Sequence, residues 1–399
     1  MVAFFVFRPE LFSYFWDSMQ EILAAFFDSF STQQWIAFIV LISATFTQLL
    51  YILYFFVRIA LWKQQDDNAQ TLPVSVVICA KNEEKNLRNL IPLLMDQDYP
   101  EFEVVVVNDN SWDGSEDTLK AFQVHYPKLH CIHLDEDKQK MQGKKFALTL
   151  GIKGAKHDLL LLTDADCSPL SNQWIAQMTK GLHNETSISI GFSPYKKQKG
   201  LLNSLIRYDA FQAGLNYLSF AKAKLPYMGV GRNLAYRKEL FFEAGGFRNH
   251  MHVASGDDDL FINQMANGKN TSIQIAPDSQ TESIPKTEFK DWWTQKRRHL
   301  TTSSYYKFHH KIFLMVWPCS YYLLWVSAIF WMVMHNSFLI AGACLLLRYG
   351  ILWLTLRGAM KKTGQLSLFW TAPLLEGLLW IVNPLLWMSN MLSKPKQWS

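Results

Sequence analysis

The 399-residue sequence predicts an α/β domain, a mostly parallel sheet with helices on both faces, flanked by transmembrane α-helices. Three observations carry that expectation. Long apolar stretches lie toward both ends, and between Gln64 and about His310 short β-branched or leucine runs alternate with amphipathic segments. Charged residues make up only 18% of the chain, against roughly 25% in an average soluble domain.

Residues 1–34 carry FFVF, LFSYFW and ILAAFF, interrupted by Glu10, Asp17 and Glu21, as expected of a helix lying at the interface or packed beside a crossing. Residues 35–62 read WIAFIVLISATFTQLLYILYFFVRIALW, longer than the roughly 20 apolar residues a crossing needs. No basic segment precedes this run and its apolar core is too long for a cleavable signal peptide, so a transmembrane helix is expected.

The polar linker QQDDNAQ and Pro73 then introduce VSVVICA, a run with the length of a buried strand. Leu87, Leu90, Ile91 and Leu94 follow at helical spacing. EVVVVND (Glu103 to Asp109) is a second strand, SEDTLKAFQVHY a helix, LHCIHL a third strand, KKFALTLGIKGA a helix and DLLLLTD a fourth strand. This alternation predicts a parallel sheet, and such sheets bind ligands at the carboxyl ends of their strands. Leu201 to Lys224 is a helix of one of two kinds, amphipathic against the bilayer or buried in the core.

The domain is expected over 72–300, with a juxtamembrane segment at 301–311 and two to three crossings in 312–393. Pro373, Glu376 and Pro384 can break the last crossing into a re-entrant pair or an interface helix. Arg348 and Glu376 are expected to face protein, because either charge is costly in lipid. RGAMKKTG (Arg357 to Gly364), with Arg58 and Lys63, puts the domain on the cytoplasmic side of a cell (inner) membrane.

Several function classes are disfavoured. Five scattered cysteines without CxxC spacing argue against a disulfide framework or a zinc site. A net charge of +5 is too mild for nucleic-acid binding. There is no GxxxxGK[ST] loop, and no GxGxxG follows the first strand.

Four polar clusters fall at strand ends or helix starts: Cys79 to Glu84, Asn108 to Ser115, Gln142 to Lys145, and Asp164-Ala165-Asp166 after four leucines. In extended chain, residues i and i+2 point the same way, so Asp164 and Asp166 can reach one point. Two converging carboxylates repel unless a cation lies between them, and oxygen-only ligation favours Mg2+ or Mn2+ together with substrate phosphates. A nucleoside diphosphate sugar fits that chemistry, with Lys144 or Lys145 to offset phosphate charge.

With these motifs the chain resembles the family-2 inverting glycosyltransferases of GT-A fold, above all the membrane-bound branch of cellulose, hyaluronan and poly-N-acetylglucosamine synthases and lipid glucosyltransferases. PVSVVICAKNEEKNL is similar to the family's opening strand and turn, VVVVNDNSWDGSEDT to its nucleoside loop, QGKKFALTLG to its GKxxALNxG element and TDADC to its DxD. The resemblance implies that Ala80, Asn82, Glu83, Asp109, Lys144, Asp164 and Asp166 bind the sugar nucleotide, that Asp113 orders its loop, and that Asp166 and Asp164 hold the metal.

LPYMGVGRNLAYRKELFFEAGGF resembles the segment under donor sugar and acceptor, which implies that Gly229, Gly231 and Asn233 line that pocket. SGDDDLFINQM is similar to the helix start that supplies the catalytic base, with Gly256 where an acid is common and Asp257 or Asp258 as the base. Gln295 to His299 resembles QxxRW with histidine in place of tryptophan, implying that Gln295, Arg298 and His299 serve the acceptor or the diphosphate. The implied reaction is inverting transfer from a nucleoside diphosphate sugar, by family usage a UDP-sugar, to a membrane-associated lipid or glycan acceptor. A processive polysaccharide synthase and a non-catalytic sugar-nucleotide-binding membrane protein stand as alternatives.

Overall fold

The computed structural model describes residues 17–21, 30–64, 71–134, 143–183, 185–253, 255–335 and 338–393. Most of the interfacial helix expected in residues 1–34 lies outside the described residues, as does Gln142. The helices used below are α1 (Thr32–Ala60), α2 (Glu84–Met95), α3 (Ser115–His125), α4 (Lys144–Gly154), α5 (Trp174–Thr179), α6 (Leu201–Lys222), α7 (Lys238–Glu243), α8 (Asp259–Met265), α9 (Phe289–Leu300), α10 (Phe308–His335), α11 (Leu339–Lys362) and α12 (Ala372–Leu392). The strands are β1 (Val74–Ala80), β2 (Phe102–Asp109), β3 (Leu129–Leu134), β4 (Leu159–Leu162), β5 (Cys167–Pro169), β6 (Ile188–Gly191), β7 (Leu234–Arg237), β8 (Thr271–Gln274) and β9 (Thr281–Ser283).

The chain forms two compact units, Met1–Tyr51 with Leu314–Ile351, and Ile52–Phe313 with Leu352–Ser399. The first is built from helix. Leu41 and Ala44 of α1 pack with Leu324, Ala328 and Trp331 of α10 and with Ala341 and Cys344 of α11. Gln48 donates to the Trp317 carbonyl at 2.9 Å and accepts from Arg348 Nε at 3.2 Å. Arg348 is fully buried, its guanidinium 4.2 Å from the Tyr349 ring centroid, so the charge faces protein as expected.

α1, α10, α11 and α12 are each long and apolar enough to cross a membrane, which makes this a multi-pass membrane protein. Residues 312–393 therefore hold three such helices. α12 runs unbroken past both prolines that were candidates to interrupt it. Pro373 lies in the first turn, where no intrahelical N–H is needed, and only Pro384 forfeits a bond inside the helix. Glu376 is buried and accepts from Trp380 Nε1 at 3.3 Å.

The second unit contains the sheet, in the order β3-β2-β1-β4-β7-β6-β8. β1 to β4 are parallel, β7 is antiparallel to both β4 and β6, and β8 is parallel to β6. β1 coincides with VSVVICA because that run is apolar on both faces. Val76, Ile78, Val104 and Val106 join Leu87, Leu90, Ile91 and Leu94 in one core, while Val107 faces Ala147 of α4 on the other side. α4 lies tight on the sheet at Gly151, where a Cβ would come 2.8 Å from Val77 and 2.9 Å from Val107. A separate antiparallel ribbon joins β5 to β9.

One topological fact positions the site. Because β7 alone runs against its neighbours, the residues that lead into it reach the edge where β1, β2 and β4 end. Leu201–Lys222 is a core helix rather than an amphipathic one, with Leu205, Tyr208, Phe211, Leu215, Leu218 and Phe220 all buried.

Candidate active site

The loops after β1 and β2 lock to each other. Asn82 N donates to Ser111 Oγ at 2.9 Å, and Trp112 N returns the bond to Asn82 Oδ1 at 2.9 Å. Asn82 and Asn110 have φ of 57° and 53°, left-handed conformations that asparagine tolerates better than most residues. Asp113 accepts from the amides of Glu84 at 3.1 Å and Ser115 at 3.0 Å, so it orders the loop as expected. Ala80 closes β1 as a buried residue. Glu83 accepts from Asn86, and burial, then the nearby carboxylates of Asp166 and Asp164, raise its pKa against that bond.

Asp109 ends β2 in a buried position, and its Oδ2 has no hydrogen-bond partner among the described residues. Burial raises its pKa. A buried carboxylate oxygen without a donor is costly, which marks Asp109 as an acceptor for a ligand N–H or O–H.

The paired acids after β4 meet at the same edge. Ligand atoms of Asp164, Asp166 and Cys167 lie within 4.8 Å of one another. Burial, then the charge of Asp164, pushes Asp166 up, while Arg232 and Lys144 pull it back. Burial and the two carboxylates also keep the Cys167 thiol protonated, and it points toward Asp166 Oδ1 at 3.4 Å. Two crowded carboxylates beside a neutral thiol suit a hard divalent cation, which would remove their mutual repulsion. A cavity of about 360 Å3 opens beside Asp166, lined among others by Asn86, Asn89, Ser168, Lys196 and Glu282. Its size is that of a small-ligand pocket.

The adjacent lysines at the start of α4 take different roles. Lys144 Nζ reaches Asp164 Oδ1 at 2.8 Å and Asp257 Oδ2 at 3.0 Å. Burial would lower its pKa, but Asp164, Asp257 and Asp258 outweigh burial and hold it well above the ordinary value. Lys145 turns away and donates to the carbonyls of His250, Val253 and Ser255 at 2.6, 2.9 and 2.8 Å, fixing the loop ahead of Asp257. Of the two lysines considered for the phosphates, Lys144 alone is at the cleft.

The three aspartates at α8 also divide. Asp257 is buried and faces Lys144, whose charge brings its pKa down against the effect of burial. Asp258 caps α8, accepting from Asp259 N at 2.7 Å and from Gly231 N at 2.7 Å. Loss of water, then the charges of Asp257 and Asp259, raise it from 3.8 to about 7. Asp259 accepts from the hydroxyls of Thr302 and Tyr306, the latter at 2.8 Å, and ties α8 to the segment that precedes α10. Gly256 has φ of +98°, where an acid would be strained, and this accounts for the glycine at that position.

The segment before β7 corrects part of the sequence-based expectation. Gly231 lines the cleft beside Lys144 and Asp257. Gly229 instead packs near Leu234 and Ile262. Asn233 is fully buried, accepting from Trp174 Nε1 at 3.0 Å and donating to the carbonyls of Phe192 at 2.9 Å and Ser279 at 2.8 Å. It braces β7 and is not among the residues that line the two cavities at Asp166 and Lys144.

α9 is set in place by Lys296, 2.8 Å from Asp209 of α6, and by Arg297, which donates to Asn390 at 2.9 Å and to the Ser389 carbonyl at 3.0 Å on α12 while its own carbonyl accepts from Asn390 Nδ2 at 2.9 Å. Gln295 is half-buried and His299 is exposed. Although His299 keeps open surface, its crowding and the charges of Arg298, Lys296, Arg232 and Lys144 depress its pKa, which gives a neutral ring beside the cleft. The Arg298 Nε is buried without a hydrogen-bond partner among the described residues.

The motif reading missed Lys145 as a loop anchor, Asp259 as a tie and Arg232 as a charge acting on Asp166. Only Arg232 left a signal in the sequence, as the one charge inside MGVGRN.

The model of the family described as Glycosyl transferase family 2 matches residues 75–245, and that of Glycosyl transferase family group 2 matches residues 187–391. The chain is 30% identical to glycosyltransferase AglE of Haloferax volcanii over 190 residues, 47% of this chain and 60% of that protein. It is 29% identical to the probable glycosyltransferase YdaM of Bacillus subtilis over 251 residues, 60% of this chain and 57% of that one. The chain thus spans under two thirds of the length of these relatives. The mannosyltransferase PcManGT of Pyrobaculum calidifontis, solved with GDP-Man and Mn2+, superposes with a TM-score of 0.55 at 20% identity, covering 86% of this chain and 97% of that one. That likeness gives the sheet and its helices a GT-A-like fold. With a family model spanning half of its length, the chain belongs to the family-2 glycosyltransferases.

Proposed function

We propose that this protein transfers a sugar, with inversion, from a nucleoside diphosphate sugar to a lipid-linked or glycan acceptor at the membrane. The observation that carries the reading is the convergence on Lys144 of the acid pair after β4 and the buried carboxylate ahead of α8. A donor-binding end and a proton-accepting end then share one cleft.

In this reading Asp109 accepts an imino N–H of the base, such as uracil presents, and Glu83 and Asn82 hold the nucleoside loop. The carboxylates of Asp166 and Asp164 would hold Mg2+ or Mn2+, which when bound offsets the charge gathering on the departing diphosphate. Asp257 accepts the proton of an acceptor hydroxyl as that oxygen attacks the anomeric carbon. The bond to the diphosphate oxygen breaks as the new bond forms, so one displacement inverts the centre. The Nε of Arg298, buried and without a hydrogen-bond partner among the described residues, supports donation to the leaving group.

Asp257 is favoured as base because Asp258 already accepts two backbone amides as a helix cap. The value near 7 for Asp258 favours the second assignment, since a base works best near the ambient pH. An anionic donor that draws Lys144 away would remove the largest influence that lowers Asp257 and so raise its pKa.

The unit that contains the sheet also contains Arg58, Lys63, Arg357, Lys361 and Lys362. By the bias of basic residues toward the inner side, this supports a cytoplasmic catalytic domain. Single transfer to a lipid-linked acceptor is the favoured outcome.

The test is incubation of the purified protein in lipid with UDP- and GDP-sugars and Mn2+, with detection of nucleoside diphosphate release and separation of products. Metal-dependent release with a discrete extractable glycolipid supports single transfer. A size-heterogeneous polymer would favour a processive synthase, and binding without release would make the protein a non-catalytic sugar-nucleotide binder.

A further inference from the structure

Arg232 follows Gly231, which lines the cleft, and acts on the charge of Asp166, yet no carboxylate has claimed its positive charge by direct contact among the described residues. Its main chain is pinned from two sides, because its carbonyl accepts from Thr163 Oγ1 at 3.0 Å and from Thr281 Oγ1 at 2.8 Å. Its guanidinium lies 4.5 Å from the centroid of the Tyr195 ring, and its Nη1 is buried without a hydrogen-bond partner among the described residues. Asp166, Cys167 and Tyr217 are near enough to act on its charge, and Arg232 in turn acts on His299.

Lys144 is already engaged, since it holds Asp164 and Asp257. A fixed guanidinium with an unpartnered N–H suits a phosphate oxygen better than a mobile ammonium does. Strand order says which phosphate. Asp109 ends β2, the acid pair follows β4, and Arg232 precedes β7, with the order along the edge β2-β1-β4-β7. At about 4.8 Å per strand, β2 and β7 lie roughly 14 Å apart, so a donor with its base at Asp109 has its sugar end toward β7. Arg232 is on the sugar side of the acid pair.

We propose that Arg232 is a further donor-binding residue, its Nη1 donating to an oxygen of the β-phosphate of the nucleoside diphosphate while the Tyr195 ring holds the guanidinium in place. This rests on the donor reading above. It adds a second guanidinium, with Arg298, at the bond that breaks.

The test uses the full chain in lipid nanodiscs and measures binding of UDP, UMP and GDP in the presence of Mn2+, together with Mn2+ alone. Arg232→Gln is expected to weaken UDP on the order of 10- to 100-fold while changing UMP by less than about threefold, with Mn2+ affinity retained. Arg232→Lys should recover part of the loss, and Tyr195→Leu should weaken UDP in the same direction by less. Equal loss of UDP and UMP, or loss of Mn2+ affinity, would overturn the proposal and make Arg232 a support for Asp166. Unchanged UDP binding in a variant with wild-type thermal stability would overturn it as well. Wild-type protein that binds neither UDP nor GDP would instead remove the donor reading itself.

Discussion

Lys144 Nζ lies 3.0 Å from Asp257 Oδ2, with its other bond to Asp164 at 2.8 Å, so one ammonium connects the strand-end acids to the acid ahead of α8. The contact joins two halves of the domain far apart in sequence. It also sets the protonation of Asp257, since burial alone would raise that carboxyl and Lys144 reverses the sign.

Lys144→Met should therefore abolish transfer and invert one pH dependence. In the wild type, Asp257 lies below its ordinary pKa, so its stabilising contribution is present above the carboxylate range and lost as pH falls through its own lower value. In the variant only a backbone hydrogen bond and Lys145 still oppose burial, the largest influence, so the contribution is lost as pH rises. Thermal melts from acid to neutral pH would read the change, and melts that superpose with wild type would count against the coupling.

Asp257→Asn is expected to lower turnover by about 10^2- to 10^4-fold, the range of a lost general base. Asp258→Asn should retain most turnover but alter stability. A carboxyl raised to about 7 favours the fold below its unfolded pKa and loses that advantage as pH rises through 7, so the variant should flatten that slope. Full transfer by Asp257→Asn with none by Asp258→Asn would exchange the two assignments.

Asp166→Asn should remove the metal dependence that a chelator reveals in the wild type. Mn2+ titration followed by electron paramagnetic resonance would show bound ion in the wild type and little in the variant. Equal retention by both would place the cation elsewhere.

Lys145→Met breaks three bonds to loop carbonyls and is expected to destabilise the protein by at least ~2 kcal/mol, as buried acceptors lose their donor. Turnover should fall with little change in UDP affinity, because the loop precedes Asp257 and contacts no proposed nucleotide ligand. A parallel loss of UDP affinity would argue against that division.

Gly256→Glu restores the acid that the family commonly carries there, yet φ of +98° predicts strain of ~1–3 kcal/mol and a clash with Leu260. The variant should melt lower without gaining activity. Higher activity at unchanged stability would show that the backbone can relax.

The sequence by itself determined the elements and the edge where the chemistry gathers. VSVVICA and EVVVVND were readable as strands because a sheet covered on both faces needs short, largely apolar runs, and the acids had to fall where those runs stop. Apolar length likewise identified the crossings, since a hydrocarbon core tolerates little else. Which side chain of a motif does what was decided by tertiary structure. Lys144 and Lys145 are neighbours with different partners, Asn233 is drawn into a brace with Trp174, and Arg232 comes near Asp166 because β7 alone runs antiparallel. Local periodicity records which face of an element is buried. It does not record strand direction or the distant groups that meet a side chain, and those set its charge and hydrogen bonds.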